Sequence, residues 1–169
     1  MLTKKSAKIS PTGIEFIKKE EGHYGKVYDD ISSKTKKYSW GPSWPERNFK
    51  GTPTIGYGHV VWSKWIDERP QWTDYLHSGG SFLTKPQAHD LLVSDLPKYE
   101  KRVRSYLTDK ARFTQNMWDA LISMAYNTGP NAKSIKNIAK AINKGRYEEA
   151  ADIIRGGPQK TRDKSGKLI

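Results

Sequence analysis

Strand-like and helix-like patterns are segregated along this chain, and that segregation constrains its fold more than any other feature. Short, glycine-broken β patterns lie before residue 62, whereas helical periodicity fills the chain beyond residue 84. Strands grouped at one end and helices at the other predict an α+β domain, since each layer needs another to cover its apolar face. Thr84-Lys-Pro-Gln87 has the capping-box pattern and opens a helix running toward Leu107, with Pro97 expected to kink or interrupt it. Thr114 caps a helix carrying Met117, Leu121, Met124 and Ala125 at helical spacing, the methionines as core packing, and Gly129 ends it. Residues 134–143 and 147–155 supply two shorter helices around Lys144-Gly145. A length of 169 residues fits one domain of two lobes, roughly 1–80 and 81–169, with a cleft where they meet.

A further helix opens the chain. Ser10-Pro11 combines an N-cap residue with proline at the first helical position, and Gly22 stands where a C-terminal glycine is expected. At about 100° per residue, Ile14 and Ile17 define an apolar arc with Glu21 between them. Glu20 falls about 60° outside that arc, with Phe16 near it. The negative end of the helix dipole and desolvation by apolar neighbours both favour a protonated Glu21, the form a general acid needs. The competing reading is a solvated Glu20–Glu21 pair at a fraying helix end. Asp30 follows nine residues later, far enough along to face the same cleft from another element. Two carboxylates in different environments are the minimum equipment for splitting a glycosidic bond, one as acid and one as base.

In Thr54-Ile-Gly-Tyr-Gly-His59 a period of two places Thr54, Gly56 and Gly58 on one face, a hydroxyl beside two bare backbone positions. That face suits close approach of a ligand or of another backbone. Ile55, Tyr57 and His59 take the other face, toward a small core, so His59 reads as structural rather than as a catalytic base. Alone, the run also fits an ordinary hairpin strand with bulges.

Together, Glu21-Gly22, Tyr28-x-Asp30 and Thr54-Ile-Gly-Tyr-Gly-His59 resemble the phage-type lysozymes, or endolysins, of glycoside hydrolase family 24. Leu83-Thr-Lys-Pro-Gln-Ala88, Leu91-Leu92, Asp95-Leu96 and the run Thr114 to Gly129 follow in the family's order, so the resemblance covers about residues 12–157. It implies a lysozyme-like fold with a small β-containing N-terminal lobe and a mainly helical C-terminal lobe. It also implies a muramidase that hydrolyses the β-1,4 bond between N-acetylmuramic acid and N-acetylglucosamine in bacterial peptidoglycan. By the same resemblance Glu21 is the acid, Asp30 the second carboxylate and Thr54 the third catalytic residue, with an inverting outcome. Asn127 matches the family's amide position facing the cleft, although it also suits capping its own helix end, and Gly56 and Tyr57 are further substrate-binding candidates. Two departures stand out. Twenty-three residues separate Asp30 from Thr54, a basic insertion (31–53) containing Trp40, Pro42, Trp44 and Pro45. The chain also stops at Gly166-Lys-Leu-Ile169 where the family continues into a further helix, which points to a missing C-terminal segment or a larger phage or secretion assembly.

Composition excludes several alternatives. Cysteine is absent, so there is no disulfide framework, and His23, His59, His77 and His89 lack metal-ligand spacing; no metal or cofactor is expected. No apolar run reaches signal-peptide or membrane-span length, which implies synthesis in the cytoplasm and action on the wall beyond it. Thirty basic against eighteen acidic residues give a net charge of +12, half of it within residues 131–169. Such a balance calls for a polyanionic partner. The basic residues are dispersed, without a base-stacking or recognition-helix pattern, which favours the anionic wall over nucleic acid. Five of six tryptophans lie between Trp40 and Trp72. They are expected mainly to pack the insertion and the Val60–Leu76 connection, with saccharide stacking the alternative. Besides a muramidase, two classes fit the pattern less fully. A lytic transglycosylase has no use for a water-activating pair, and a basic wall-binding module has no use for the carboxylates.

Overall fold

The computed structural model describes residues 1–29, 51–76 and 79–156. Its elements in chain order are α1 (Pro11–Glu21), β1 (Tyr24–Asp29), β2 (Pro53–Gly56), β3 (His59–Val60), β4 (Trp62–Ser63) and β5 (Ile66–Asp67), followed by α2 (Arg69–Trp72) and a 3-10 turn over Thr73–Tyr75. The rest is helical, with α3 (Lys85–Arg104), α4 (Gln115–Thr128), α5 (Lys133–Asn143) and α6 (Tyr147–Ile154). The fold is α+β, with short antiparallel strands before α2 and helices beyond it. Among the described residues no helix is long and apolar enough to cross a membrane.

Two compact units emerge, Met1–Phe16 with Leu96–Ile169, and Ile17–Asp95. In the first, Leu2 and Phe113 exchange backbone hydrogen bonds of 2.7 and 3.2 Å, tying the N-terminus to the segment before α4. Its core joins Leu96, Val103 and Leu107 to Phe113, Trp118, Leu121, Ile122 and the apolar face of α5. Phe113 and Trp118 stack with ring centroids 5.4 Å apart. The buried Glu100 accepts from Ile9 N at 2.9 Å and Trp118 Nε1 at 3.0 Å, with Arg104 Nη2 at 3.4 Å. A charge at that depth is tolerable because donors surround it.

The second unit is built on an antiparallel sheet of order β1-β2-β3, with β4 and β5 forming a separate hairpin. Ile17, Val27, Ile55, Val61, Leu76, Leu83, Ala88 and Leu92 make its core.

Local chemistry accounts for the helix ends. Ser10 Oγ accepts from Gly13 N at 3.1 Å, the expected N-cap bond, while Asp119 Oδ1 accepts from Ser10 N at 2.9 Å. Thr84 and Gln87 form the reciprocal capping box, with Thr84 N donating to Gln87 Oε1 at 2.9 Å and Gln87 N to Thr84 Oγ1 at 3.3 Å. Thr114 Oγ1 accepts from Met117 N at 3.2 Å, and Gly129 ends α4 at φ 92°.

Three expectations need correction. Pro97 does not interrupt α3, which runs through it for 20 residues. Pro97 and Val93, whose carbonyl loses its helical partner, are both exposed, so water can satisfy that carbonyl. The buried stripe of α4 is Trp118, Leu121, Ile122 and Ala125, with Met117 and Met124 only half-buried beside it. Finally, Thr54 to His59 is not one strand. It is a hairpin turning through Gly56, Tyr57 and Gly58, with Ile55 opposite His59 and both glycines at positive φ (68° and 90°). The two-residue alternation therefore ends at Gly56.

Candidate active site

Glu21 is the last residue of α1 and is half-buried, whereas Glu20 is exposed. The helix turns the two carboxylates apart as its apolar arc requires, with Ile17 buried and Phe16 52% exposed. Gly22 then takes φ 72° and donates its N–H to Lys18 O at 3.0 Å, closing the helix before β1 starts at Tyr24.

Thr54 is buried in β2, opposite Tyr28 of β1 and Val60 of β3. Its Oγ1 donates to Thr52 O at 2.9 Å. The hydroxyl proton is thus committed, and toward a further partner the oxygen acts as an acceptor. One register step along, Asp29 pairs with Pro53 and is itself buried. The insertion therefore leaves β1 and rejoins the fold opposite its point of departure. Asp30, covalently next to Asp29, lies outside the described residues, as do Trp40 and Trp44.

Gly56 and Tyr57 are buried by the protein's own side chains. A Cβ on Gly56 would stand 3.3 Å from Leu83 and 3.4 Å from Ala88, so the close approach made there is to α3 and the residue leading into it. The Tyr57 ring lies 5.5 Å from His23, with Lys18 Nζ 5.5 Å from its centroid. His23 also meets Phe82 at 6.0 Å. Burial, with the charge of Lys85 and against a smaller opposing pull from the Leu83 backbone, holds its pKa below 6.5. Asn127 belongs to the other unit, exposed one residue before the end of α4, where Gly129 rather than an amide terminates the helix.

The most strongly organised titratable group beside the hairpin is His59. It is 6% exposed, with Nδ1 2.6 Å from Asp95 Oδ2 and Nε2 2.6 Å from Glu68 Oε2, and Trp72 Nε1 donates to the same Glu68 oxygen at 3.1 Å. Burial opposes the charged ring, but Asp95 first and Glu68 second outweigh it and raise the pKa above 6.5. His59 is thus a satisfied structural histidine, as expected, although it stands on the second strand of a hairpin and not on the face that a single alternating strand would give it. Its partners carry no recognisable spacing in the sequence. Among the described residues no group of three or more His, Asp or Glu side chains is arranged to hold a metal ion.

The tryptophans divide. Trp72 packs against His59 and Tyr75, and Trp62 carries Arg69 over its ring at 5.3 Å. Trp65, at the tip of the β4–β5 hairpin, is 83% exposed with Lys64 Nζ 4.7 Å from its ring, so packing does not explain it.

A family model for phage lysozyme matches residues 42–159, a stretch holding Thr54, Gly56, Tyr57 and Asn127 and beginning after Glu21 and Asp30. The chain is 29% identical over 146 residues to the endolysin of Salmonella phage P22, covering 86% of this chain and 80% of that protein. To the endolysin of Bacillus phage PZA it is 32% identical over 143 residues, covering 85% of this chain and 43% of the relative. In structure it is similar to the endolysin from Escherichia coli O157:H7 phage FAHEc1, at 25% identity and a TM-score of 0.60, covering 96% of this chain and 83% of that one.

Proposed function

This chain belongs to the phage lysozyme family, and we propose that it cuts the β-1,4 bond between N-acetylmuramic acid and N-acetylglucosamine with inversion. As a member it is a peptidoglycan-hydrolysing enzyme. Glu21 is the general acid, Asp30 the base that activates water, and Thr54 the residue that holds that water.

The observation carrying this reading is the strand register. Tyr28 pairs with Thr54 and Asp29 with Pro53, so the residue bonded to Asp30 stays beside Thr54 despite the insertion. Glu21 stands three residues before β1, at a helix end whose geometry exposes Glu20 instead. In the proposed step Glu21 protonates the departing glycosidic oxygen while Asp30 takes a proton from water attacking the opposite face of the sugar. That arrangement requires carboxyl groups about 6.5–9.5 Å apart. Because the Thr54 proton is committed to Thr52 O, Thr54 receives one water hydrogen, leaving the other for Asp30 and a lone pair for the sugar.

Digestion of purified peptidoglycan tests the proposal. The expected products carry reducing N-acetylmuramic acid ends by mass spectrometry, and the inverted anomer appears first by NMR. Glu21→Gln should slow hydrolysis on the order of 10²–10⁴-fold with unchanged circular dichroism, and Glu20→Gln should not. An anhydro-muramic product would instead indicate a lytic transglycosylase. A retained anomer or a trapped glycosyl-enzyme would refute inversion. Loss of activity in Glu20→Gln alone would move the acid to Glu20.

A further inference from the structure

Helix α5 presents a row of lysines without a single carboxylate. Its sequence is Lys-Ser-Ile-Lys-Asn-Ile-Ala-Lys-Ala-Ile-Asn, with Ile135, Ile138, Ala139, Ala141 and Ile142 buried. Lys133, Lys136 and Lys140 are exposed and fall within an arc of about 60°, separated by about 4.5 and 6 Å along the axis. Lys144, at the C-terminal cap, is exposed as well and extends the row. Glutamates four residues away would stabilise such a lysine face, and α5 contains none.

A second observation concerns Tyr106. Lys136 Nζ lies 5.8 Å from its ring centroid and the Arg102 guanidinium carbon 5.6 Å, so one ring gathers two like charges. Their neighbour is the neutral Asn131, whose Oδ1 accepts from Arg102 Nε at 2.7 Å and from Tyr106 Oη at 2.9 Å. Among the described residues, Arg102 and the four lysines form no ion pair. Asn143, at the end of α5, donates to Tyr106 O at 2.9 Å and accepts from Thr108 N at 2.9 Å. The row and the Arg102–Tyr106 group are thus fixed to one body.

We propose that this rail, Arg102 with Lys133, Lys136, Lys140 and Lys144, binds an anionic phosphodiester polymer of the cell wall. The choice of partner rests on the wall-hydrolase reading above. A continuous row of unpaired cations suits a continuous polyanion, whereas the carboxylates of wall peptides are interrupted by neutral sugar and peptide units. Single-stranded nucleic acid fits less well, because it needs a free aromatic platform for its bases. The Tyr106 ring already carries two cations, and no large exposed aromatic lies on α5.

The test compares the full chain with a variant carrying Lys133→Gln, Lys136→Gln, Lys140→Gln and Lys144→Gln, and with the corresponding four-arginine variant. Retention is measured on intact walls, on the same walls stripped of phosphodiester polymer with acid, and on single-stranded DNA, across a salt series. Four cations neutralising a flexible polyanion give a log–log salt slope of about 3, or roughly 50-fold loss between 0.05 and 0.2 M salt. The glutamine variant should lose that slope and at least 10-fold retention on intact walls only, the arginine variant should regain both, and cleavage of a short glycan should be unchanged throughout. Equal losses on stripped walls, no loss at all, or tighter retention on DNA than on intact walls would overturn the proposal. If the parent chain fails to cleave the glycan yet binds intact walls through these lysines, the hydrolase reading fails and the rail stands.

Discussion

Replacing Asp95 by asparagine removes the negative charge 2.6 Å from Nδ1 of His59 while preserving side-chain size. The neutral imidazole has one N–H and His59 faces two carboxylates, so only the imidazolium donates to both. A His pKa raised on folding stabilises the native state fully below the unfolded value near 6.5, and that stability is lost as pH rises through the higher folded value. Breaking a buried ion pair by removing one partner costs about 3–5 kcal/mol. The side chains of His59 and Asp95 are 8% and 12% exposed, and asparagine retains an acceptor, so the low end, about 3 kcal/mol, is expected at pH 5.5. For a chain of this size that is a fall in Tm of about 6–12 °C. Urea unfolding of parent and Asp95→Asn at pH 5.5 and pH 9 measures it. The difference should shrink between pH 5.5 and pH 9, because the parent loses the charged ring as pH rises through the raised folded value. A penalty equal at both pH values, or larger at pH 9, would refute the reasoning. Glu68→Gln should act in the same direction but more weakly, since the Glu68 side chain is 32% exposed.

Two further changes probe the fold around the site. Glu100→Ala strands the N–H groups of Ile9 and Trp118 and leaves Arg104 without its carboxylate, and should cost about 3–5 kcal/mol in urea unfolding. A loss under about 1 kcal/mol, the value of an ordinary hydrogen bond, would mean those donors find other partners. Gly56→Ala should cost about 1–2 kcal/mol from its left-handed backbone, plus what Leu83 and Ala88 must yield, and a variant melting at the parent temperature would contradict this.

Helix boundaries were legible because their signals are local. Ser10, Thr84 and Thr114 cap where their chemistry predicts, and Gly22 and Gly129 end α1 and α4 at positive φ. The separation of Glu20 from Glu21 followed from helical angle alone. What escaped the sequence is long-range. Asp95 reaches His59 across 36 positions, and Glu100 meets Ile9 across 91, with no pattern linking them. The Thr54–His59 hairpin escaped for another reason. Glycine fits a strand facing a ligand and a positive-φ turn equally well, and only the register distinguishes them. Trp65 failed because the expected packing needs neighbours that a hairpin tip does not have.

The pairing of Asp29 with Pro53 holds the two ends of a 23-residue connection in one ladder. A chain whose two ends are already clamped in a ladder has a closure entropy that grows only with the logarithm of its length. Halving or doubling it changes folding free energy by about 0.6 kcal/mol. A change of length between Asp29 and Pro53 should therefore leave the pairing of Tyr28 with Thr54 in register at small cost in stability.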